Sequence, residues 1–213
     1  MRPSWDDPSL PEYWSTAYQA NATGWDLGGE TPVFRALHER GEMPLASSGR
    51  THVLVPGCGF GHDVLGWAVR GAVVTGVDIA PEPLLVLQRR AQEQGLPVTT
   101  VQADILEFLP AHPEAFDLVL EYNFYCAIPP SNRDAYMRGI RDTLSPGGFL
   151  VGLFFPTGRR HRGGPPFAVD PAAVISQAEG LGLRLVRRHQ PAESHPYRAG
   201  VEELLIFQRG RTA

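Results

Sequence analysis

Hydrophobic residues fall into two rhythms along this chain of 213 residues. From Thr51 onward, short apolar runs occupy 51–56, 73–77, 98–102, 116–121, 148–155, 183–190 and 201–208. Between them lie longer stretches at 62–70, 81–94, 131–144 and 171–181, where apolar and polar positions share the turns of a helix. Runs of the first kind read as buried strands and stretches of the second as amphipathic helices. Their alternation implies a parallel sheet with helices on both faces. Only residues 191–200, a loop, separate the last two runs, so these are expected to form an antiparallel hairpin at one edge. The expected architecture is α/β: a mostly parallel seven-stranded sheet with an antiparallel edge hairpin.

Residues 1–50 precede the first strand and read as a helical cap. Ser9, ahead of Pro11 and Glu12, is the expected cap of a helix running to Ala20. Thr31 and Pro32 open a second helix, over 33–40, that stops at Gly41. Ser145-Pro146-Gly147-Gly148 is expected to be a turn ahead of the fifth strand. No repeat or low-complexity linker divides 1–213, which reads as a single domain with 1–50 as cap and 51–213 as core.

The first strand stops at a glycine loop, Gly57-Cys58-Gly59-Phe60-Gly61-His62-Asp63, and the second ends in Asp78. Strand, tight loop, helix and strand with a terminal acid make up the Rossmann-like half-unit that binds a nucleoside at the carboxyl edge of a parallel sheet. The dinucleotide fingerprint needs a third glycine at position 62, which is His62 here. That displaces nicotinamide oxidoreductases to a minor alternative. Asp63 stands at the helix start after the loop, and Asp78, Asp104 and Glu121 stand where strands are expected to end. Carboxylates there repel a pyrophosphate and attract a cation. S-Adenosylmethionine answers this description: an adenosine, a sulfonium and an ammonium, with no phosphate.

Composition narrows the remaining choices. A net charge of −4 carries no nucleic-acid footprint. No apolar run is long enough for a membrane span, and the first residues lack the apolar core of a signal peptide. Cys58 and Cys126 are far apart and suit reduced thiols in a cytoplasmic protein. His161, His189 and His195 form no ligand cluster, so no metal is expected. The expected partner is a small-molecule substrate, without nucleic acid or membrane, for a monomer or weak homodimer.

Aromatic residues flank the glycine loop on both sides. Trp14 and Tyr18 share a helix face, and Trp25 follows them. Aromatic faces suit a sulfonium through cation–π attraction and exclusion of water. Tyr122, Phe124 and Tyr125 follow the fourth strand, and Phe154 and Phe155 end the fifth. A long loop with Arg159, Arg160, His161, Arg162 and Phe167 comes next and reads as a substrate loop.

These pieces together resemble the thiopurine S-methyltransferase superfamily, with thiol and halide methyltransferases of the plant type as the nearest pattern. The matching residues are Thr23 to Gly28, Thr31-Pro32, Leu54 to Asp63, Gly76 to Ile79, Phe116 to Leu118, Tyr122 to Ile128 and Gly163 to Phe167. The resemblance covers residues 12 to 170 and implies a class I methyltransferase that uses S-adenosylmethionine and releases S-adenosylhomocysteine. It implies cofactor contacts at Trp14, Tyr18 and Trp25, at the loop glycines Gly57, Gly59 and Gly61, and at Tyr122. It also assigns ribose to Asp78 and the adenine side to Asp104 and Ile105. The pattern has tryptophan where this chain has Tyr18, and Asp where it has Glu121, a carboxylate near the methionine end.

Methyl transfer from a sulfonium to an anion joins opposite charges, so a dry apolar pocket favours it. A thiol is already partly thiolate at neutral pH and a halide carries no proton. Phe124, Phe154, Phe155 and Phe167 are the expected pocket walls, Arg159 an anion-attracting group, and Tyr125 the candidate hydrogen-bond donor to the nucleophile. The alternatives are an oxygen, nitrogen or metalloid acceptor, and a sensor that binds the cofactor without catalysis.

Overall fold

A computed structural model of the chain describes residues 7–45, 49–158 and 163–211. The cap holds α1 (Pro11–Gln19) and α2 (Pro32–Glu39). Strands and helices then alternate as β1 (His52–Pro56), α3 (His62–Val69), β2 (Val73–Asp78), α4 (Pro81–Glu93), β3 (Val98–Gln102), α5 (Ile105–Phe108) and β4 (Phe116–Tyr122). They continue as α6 (Arg133–Thr143), β5 (Leu144–Phe154), α7 (Pro171–Gly180), β6 (Leu183–His189) and β7 (Glu203–Arg209). The seven strands form one sheet in the order β3-β2-β1-β4-β5-β7-β6. Neighbours from β3 to β5 pair in parallel, and β7 runs antiparallel to both β5 and β6.

The strands between the two edges, β2, β1, β4, β5 and β7, are largely buried on both faces, and the period of two sorts their side chains between two cores. Val53, Val55, Leu118 and Leu120 pack with α2, α3 and α4. Leu54, Val119, Leu150 and Phe207 pack on the other face with α5, α6 and α7. Strand order reverses between β1 and β4, where loops from the carboxyl ends part and leave a crevice.

Three local expectations differ from the structure. Leu10 occupies the cap position of α1, while the Ser9 hydroxyl donates to Asp7. Thr31 occupies the cap position of α2 as expected, but its hydroxyl makes no cap bond; its N–H and hydroxyl both donate to Asp63, at 2.8 Å each. That pair stitches the cap to the first turn of α3. Ser145 to Gly148 are part of β5, which pairs at Leu144 with Phe116 and resumes at Phe149 with Leu118, so the expected turn is a bulge in a longer strand. Short α5 was not expected. Asp104 caps it, accepting from the Leu106 N–H at 2.9 Å.

Candidate active site

Five parallel strands deliver their carboxyl ends to one edge, and a cavity of about 580 Å³ opens there. Its floor is built from the turns after the strands. Gly57 follows β1, Asp78 ends β2, Asp104 and Ile105 follow β3, Asn123 and Phe124 follow β4, and Phe155 follows β5. Trp14, Tyr18 and Trp25 of the cap close one side, and Pro165 and Pro166 stand on another. A much smaller cavity of about 80 Å³ adjoins it, sharing Trp25, Gly57 and Asn123 and lined also by Gly59, Asp63 and Tyr122.

Asp78 is the main polar group of the floor. One carboxylate oxygen accepts the Gly59 N–H at 2.9 Å and the other the Ala80 N–H at 3.0 Å. A carboxylate has about four acceptor sites, so each oxygen keeps capacity for a further donor from the cavity. Burial lifts this carboxyl to about 6, against the pull of those N–H donors. Gly57 adopts φ +56, and a Cβ there would stand 2.5 Å from Phe124 Cδ2. The missing side chain lets the Phe124 ring lie against the loop backbone.

The aromatic side is a chain of edge-to-face contacts. Trp14 meets Trp25 at 5.4 Å between ring centroids, Trp25 meets Tyr18 at 5.5 Å, and Tyr18 meets Phe60 of the glycine loop at 5.3 Å. Trp14 Nε1 donates to the Pro8 carbonyl at 2.8 Å, which fixes the ring while its face stays apolar. Below Tyr18, a Cβ on Gly59 would stand 3.3 Å from the Tyr18 hydroxyl oxygen.

Several expected site residues stand elsewhere. Gly61 lines neither cavity. It begins α3 at φ +74, and a Cβ there would strike Leu87 of α4 at 2.3 Å, so its role is packing. Glu121, 1 % exposed, points into the core, where it accepts from the Tyr125 N–H at 2.8 Å and from the Tyr136 hydroxyl. Tyr125 also faces away from the cavity, and its hydroxyl donates to Gln177 Oε1 at 3.0 Å. Phe154 is buried against Tyr125, with centroids 5.4 Å apart. Phe167 folds back over Gly164 rather than onto the cavity, and its N–H donates to the Cys126 carbonyl at 2.7 Å. Tyr122 lines the small cavity and donates to Glu202 at 3.1 Å. Arg159, Arg160, His161 and Arg162 lie outside the described residues. Of the four acids expected at the rim, Asp78 and Asp104 line the main cavity; Asp63 is taken by Thr31 and Glu121 by the core.

One contributor was missed. Arg198, 6 % exposed, comes from the loop between β6 and β7 and lines the main cavity. Its guanidinium lies 3.7 Å over the Phe155 ring centroid, and Nη1 faces Asn123 Oδ1 at 3.4 Å. Tyr197, beside it, stands at the mouth. The hairpin prediction itself contained the signal: a loop joining the last two antiparallel strands must return to the same edge as the glycine loop.

Among the described residues that line the main cavity there is no histidine, and the carboxylates are Asp78 and Asp104. Cys126 lines it too, but burial pushes its thiol up to about 12, which leaves it protonated and inert as a nucleophile. Sheet order, glycine loop, strand-end acid and flanking aromatics together define a class I methyltransferase. A solved structure of similar fold is the 1,6-didemethyltoxoflavin-N1-methyltransferase of Burkholderia thailandensis, at TM-score 0.70 and 20% identity, covering 95% of this chain and 88% of that one.

Sequence relatives narrow the class. Probable thiol methyltransferase 2 of Arabidopsis thaliana is 38% identical over 204 residues, covering 93% of this chain and 85% of its own length. Thiocyanate methyltransferase 1 of the same plant is 33% identical over 193 residues, with 90% and 82% covered. The profile of the thiopurine S-methyltransferase family matches residues 10–190. The chain belongs to that family and is an S-adenosylmethionine-dependent methyltransferase.

Proposed function

We propose that the protein methylates a small, soft, anionic nucleophile, a thiolate, thiocyanate or halide, at the Arg198 end of the main cavity. The observation that carries this reading is the Arg198 guanidinium, nearly closed off from solvent on a wall otherwise built from Phe155, Phe124 and Pro165. A cation in such a wall favours an anion, and a soft one loses least on leaving water. Among the described residues, none that lines that side is a histidine or a carboxylate placed to take a proton from a neutral acceptor, which again favours one that arrives ionised.

The residues fit the cofactor. Asp78 has acceptor capacity on both oxygens for the two ribose hydroxyls. Asp104, Ile79 and Ile105 bracket the place for adenine. Trp14, Tyr18 and Trp25 offer ring faces to a cation at the cap side, with Gly57 and Gly59 beneath. When bound, S-adenosylmethionine supplies an electrophilic methyl group on a sulfonium. Arg198 and Phe155 then have two tasks: to hold the acceptor in line with that carbon, and to keep the space dry so that two opposite charges gain by cancelling. The acceptor's lone pair forms the new carbon bond as the carbon–sulfur bond breaks, leaving a methylated acceptor and a neutral thioether.

Purified protein incubated with S-adenosylmethionine and, separately, thiocyanate, iodide, bromide and small thiols is the test. The volatile methyl product and S-adenosylhomocysteine are both measured, and turnover is expected with at least one anion. Absence of product with all of them overturns the reading.

A further inference from the structure

Tyr125 lines neither of the two cavities, yet it is held at every polar group it has. Its N–H donates to Glu121 Oε1 at 2.8 Å, its carbonyl accepts from Arg133 Nε at 3.2 Å, and its hydroxyl donates to Gln177 Oε1 at 3.0 Å. The Arg133 guanidinium also lies 4.5 Å from the Tyr125 ring centroid. The residues on either side, Phe124 and Cys126, do line the main cavity. Pulling Tyr125 backwards is what turns its two neighbours forwards.

Arg133 extends this hold to a second loop. Its Nη1 donates to the Ala168 carbonyl at 3.0 Å. Ala168 follows Phe167, whose N–H meets the Cys126 carbonyl, and the same segment carries Pro165 and Pro166 of the cavity wall. One guanidinium thus bridges carbonyls of two adjoining loops that both line the main cavity. Helix stability does not account for an arginine here. Arg133 is the first residue of α6, where the helix dipole disfavours a cation. Its Nη2 is buried without a partner among the described residues, which costs free energy that a lysine or glutamine on the surface would not.

We propose that Arg133 is a positioning residue, which sets the spacing between the floor and the acceptor-side wall through Tyr125 and Ala168, and so aligns the acceptor, without touching either ligand. The proposal rests on the reading that acceptors bind at the Arg198 end. A planar fork with diverging donors is what the two carbonyls require; an ammonium satisfies one at a time. Arg133 makes no hydrogen bond to Asp78 or Asp104, and its hold meets the glycine loop only through the Phe124 ring that lies against Gly57.

The test uses Arg133→Ala and Arg133→Lys in the full chain. Both are expected to bind S-adenosylhomocysteine with affinity within about threefold of the parent, while kcat falls about 10- to 100-fold, the range for an angstrom-scale misplacement. Added guanidinium or ethylguanidinium ion restores Arg133→Ala but not Arg133→Lys. A second readout needs no turnover: amide exchange at Tyr125 and Phe167 speeds up together, about tenfold, while Gly59 and Ala80 keep their parental rates. If Arg133→Ala does not fold, the lysine variant carries both readouts. Parental kcat and parental exchange in Arg133→Lys overturn the proposal, and so does a parallel loss of S-adenosylhomocysteine binding, which marks general unfolding. A parent protein without turnover on any acceptor defeats the functional reading instead, and the exchange measurement then decides the role of Arg133 alone.

Discussion

The Arg198 guanidinium stacks on Phe155, 3.7 Å from the ring centroid, and turns one nitrogen towards Asn123. The ring shields the cation from water on one face, and its hydrogen-bond partner Asn123 is uncharged; the buried Glu202 carboxylate, which accepts from Tyr122, is the acid that feels its charge. Replacing Arg198 by Gln keeps much of the volume and removes the charge. The acceptor KM is expected to rise about 10- to 100-fold, as for loss of a charged hydrogen bond of about 1.5–3 kcal/mol. Affinity for S-adenosylhomocysteine should stay near the parental value. Initial rates with an anionic acceptor and calorimetric binding of the product check the two halves; an unchanged KM removes Arg198 from the acceptor site.

Two glycines of one loop separate ligand binding from folding. An alanine at Gly57 meets Phe124 at 2.5 Å on the cavity floor, whereas one at Gly61 meets Leu87 at 2.3 Å between two helices. Both also force a side chain into the left-handed region, at about 1–2 kcal/mol. Gly57→Ala is expected to weaken cofactor binding more than tenfold. Gly61→Ala is expected to lower the melting temperature with cofactor affinity retained in the folded fraction. Thermal melts and equilibrium binding on both variants decide it, and equal effects on binding contradict the assignment.

Burial lifts Asp63 and Asp78 to about 6 and Glu121 to about 7. All three lie above the ordinary carboxylate range near 4. The folded chain therefore holds these protons where the unfolded chain has already lost them. Stability from these groups is fully present below pH 4 and declines as pH rises through 6 to 7, by roughly 3 kcal/mol per group at most. With Asp78 as the proposed acceptor for the ribose hydroxyls, cofactor binding is expected to run the other way, because the ionised carboxylate accepts both. S-Adenosylhomocysteine is expected to raise the melting temperature more at pH 7.5 than at pH 5.5, and Asp78→Asn to flatten that difference. A larger shift at pH 5.5 would falsify the role given to Asp78.

Tyr125→Phe removes a hydroxyl that already has a partner in Gln177 and faces no ligand space. Methyl transfer is expected to remain within about threefold of the parent, with stability lower by about 1 kcal/mol for the lost hydrogen bond. A hundredfold loss of kcat with unchanged stability would restore Tyr125 as a donor to the nucleophile.

Strand and helix periods carried most of the fold. Val53 to Val55 and Leu118 to Leu120 alternate between two buried faces, and such runs admit few other readings. What the periods could not reach were pieces shorter than a period. The four residues of α5 are too few to show one, and the bulge at Ser145 to Gly148 looks like a turn because its chemistry is that of a turn. At the site, residues fixed by a strand end were legible: Gly57, Asp78 and Asp104 all reach the cavity. Loop residues were not, since no period says which of Phe124, Tyr125 and Cys126 faces in; that is decided by the hold of Glu121 and Arg133 on Tyr125. Arg198 was legible by topology rather than by motif.

The order β3-β2-β1-β4-β5-β7-β6 puts the Asp78 and Asp104 turns on one flank of the sheet and the loop that carries Arg198 on the other. A single connection, residues 190–202, therefore brings the charge proposed to meet the acceptor, and it comes after every strand whose end carries a proposed cofactor residue. It starts from the edge strand β6 and ends on β7, and Glu202 near its end holds the Tyr122 hydroxyl of β4. On the proposed reading, exchange of the Arg198 segment for one of different length or charge, with Glu202 kept to hold Tyr122, would retarget the enzyme to a new acceptor, which makes the last hairpin the natural place to redesign specificity.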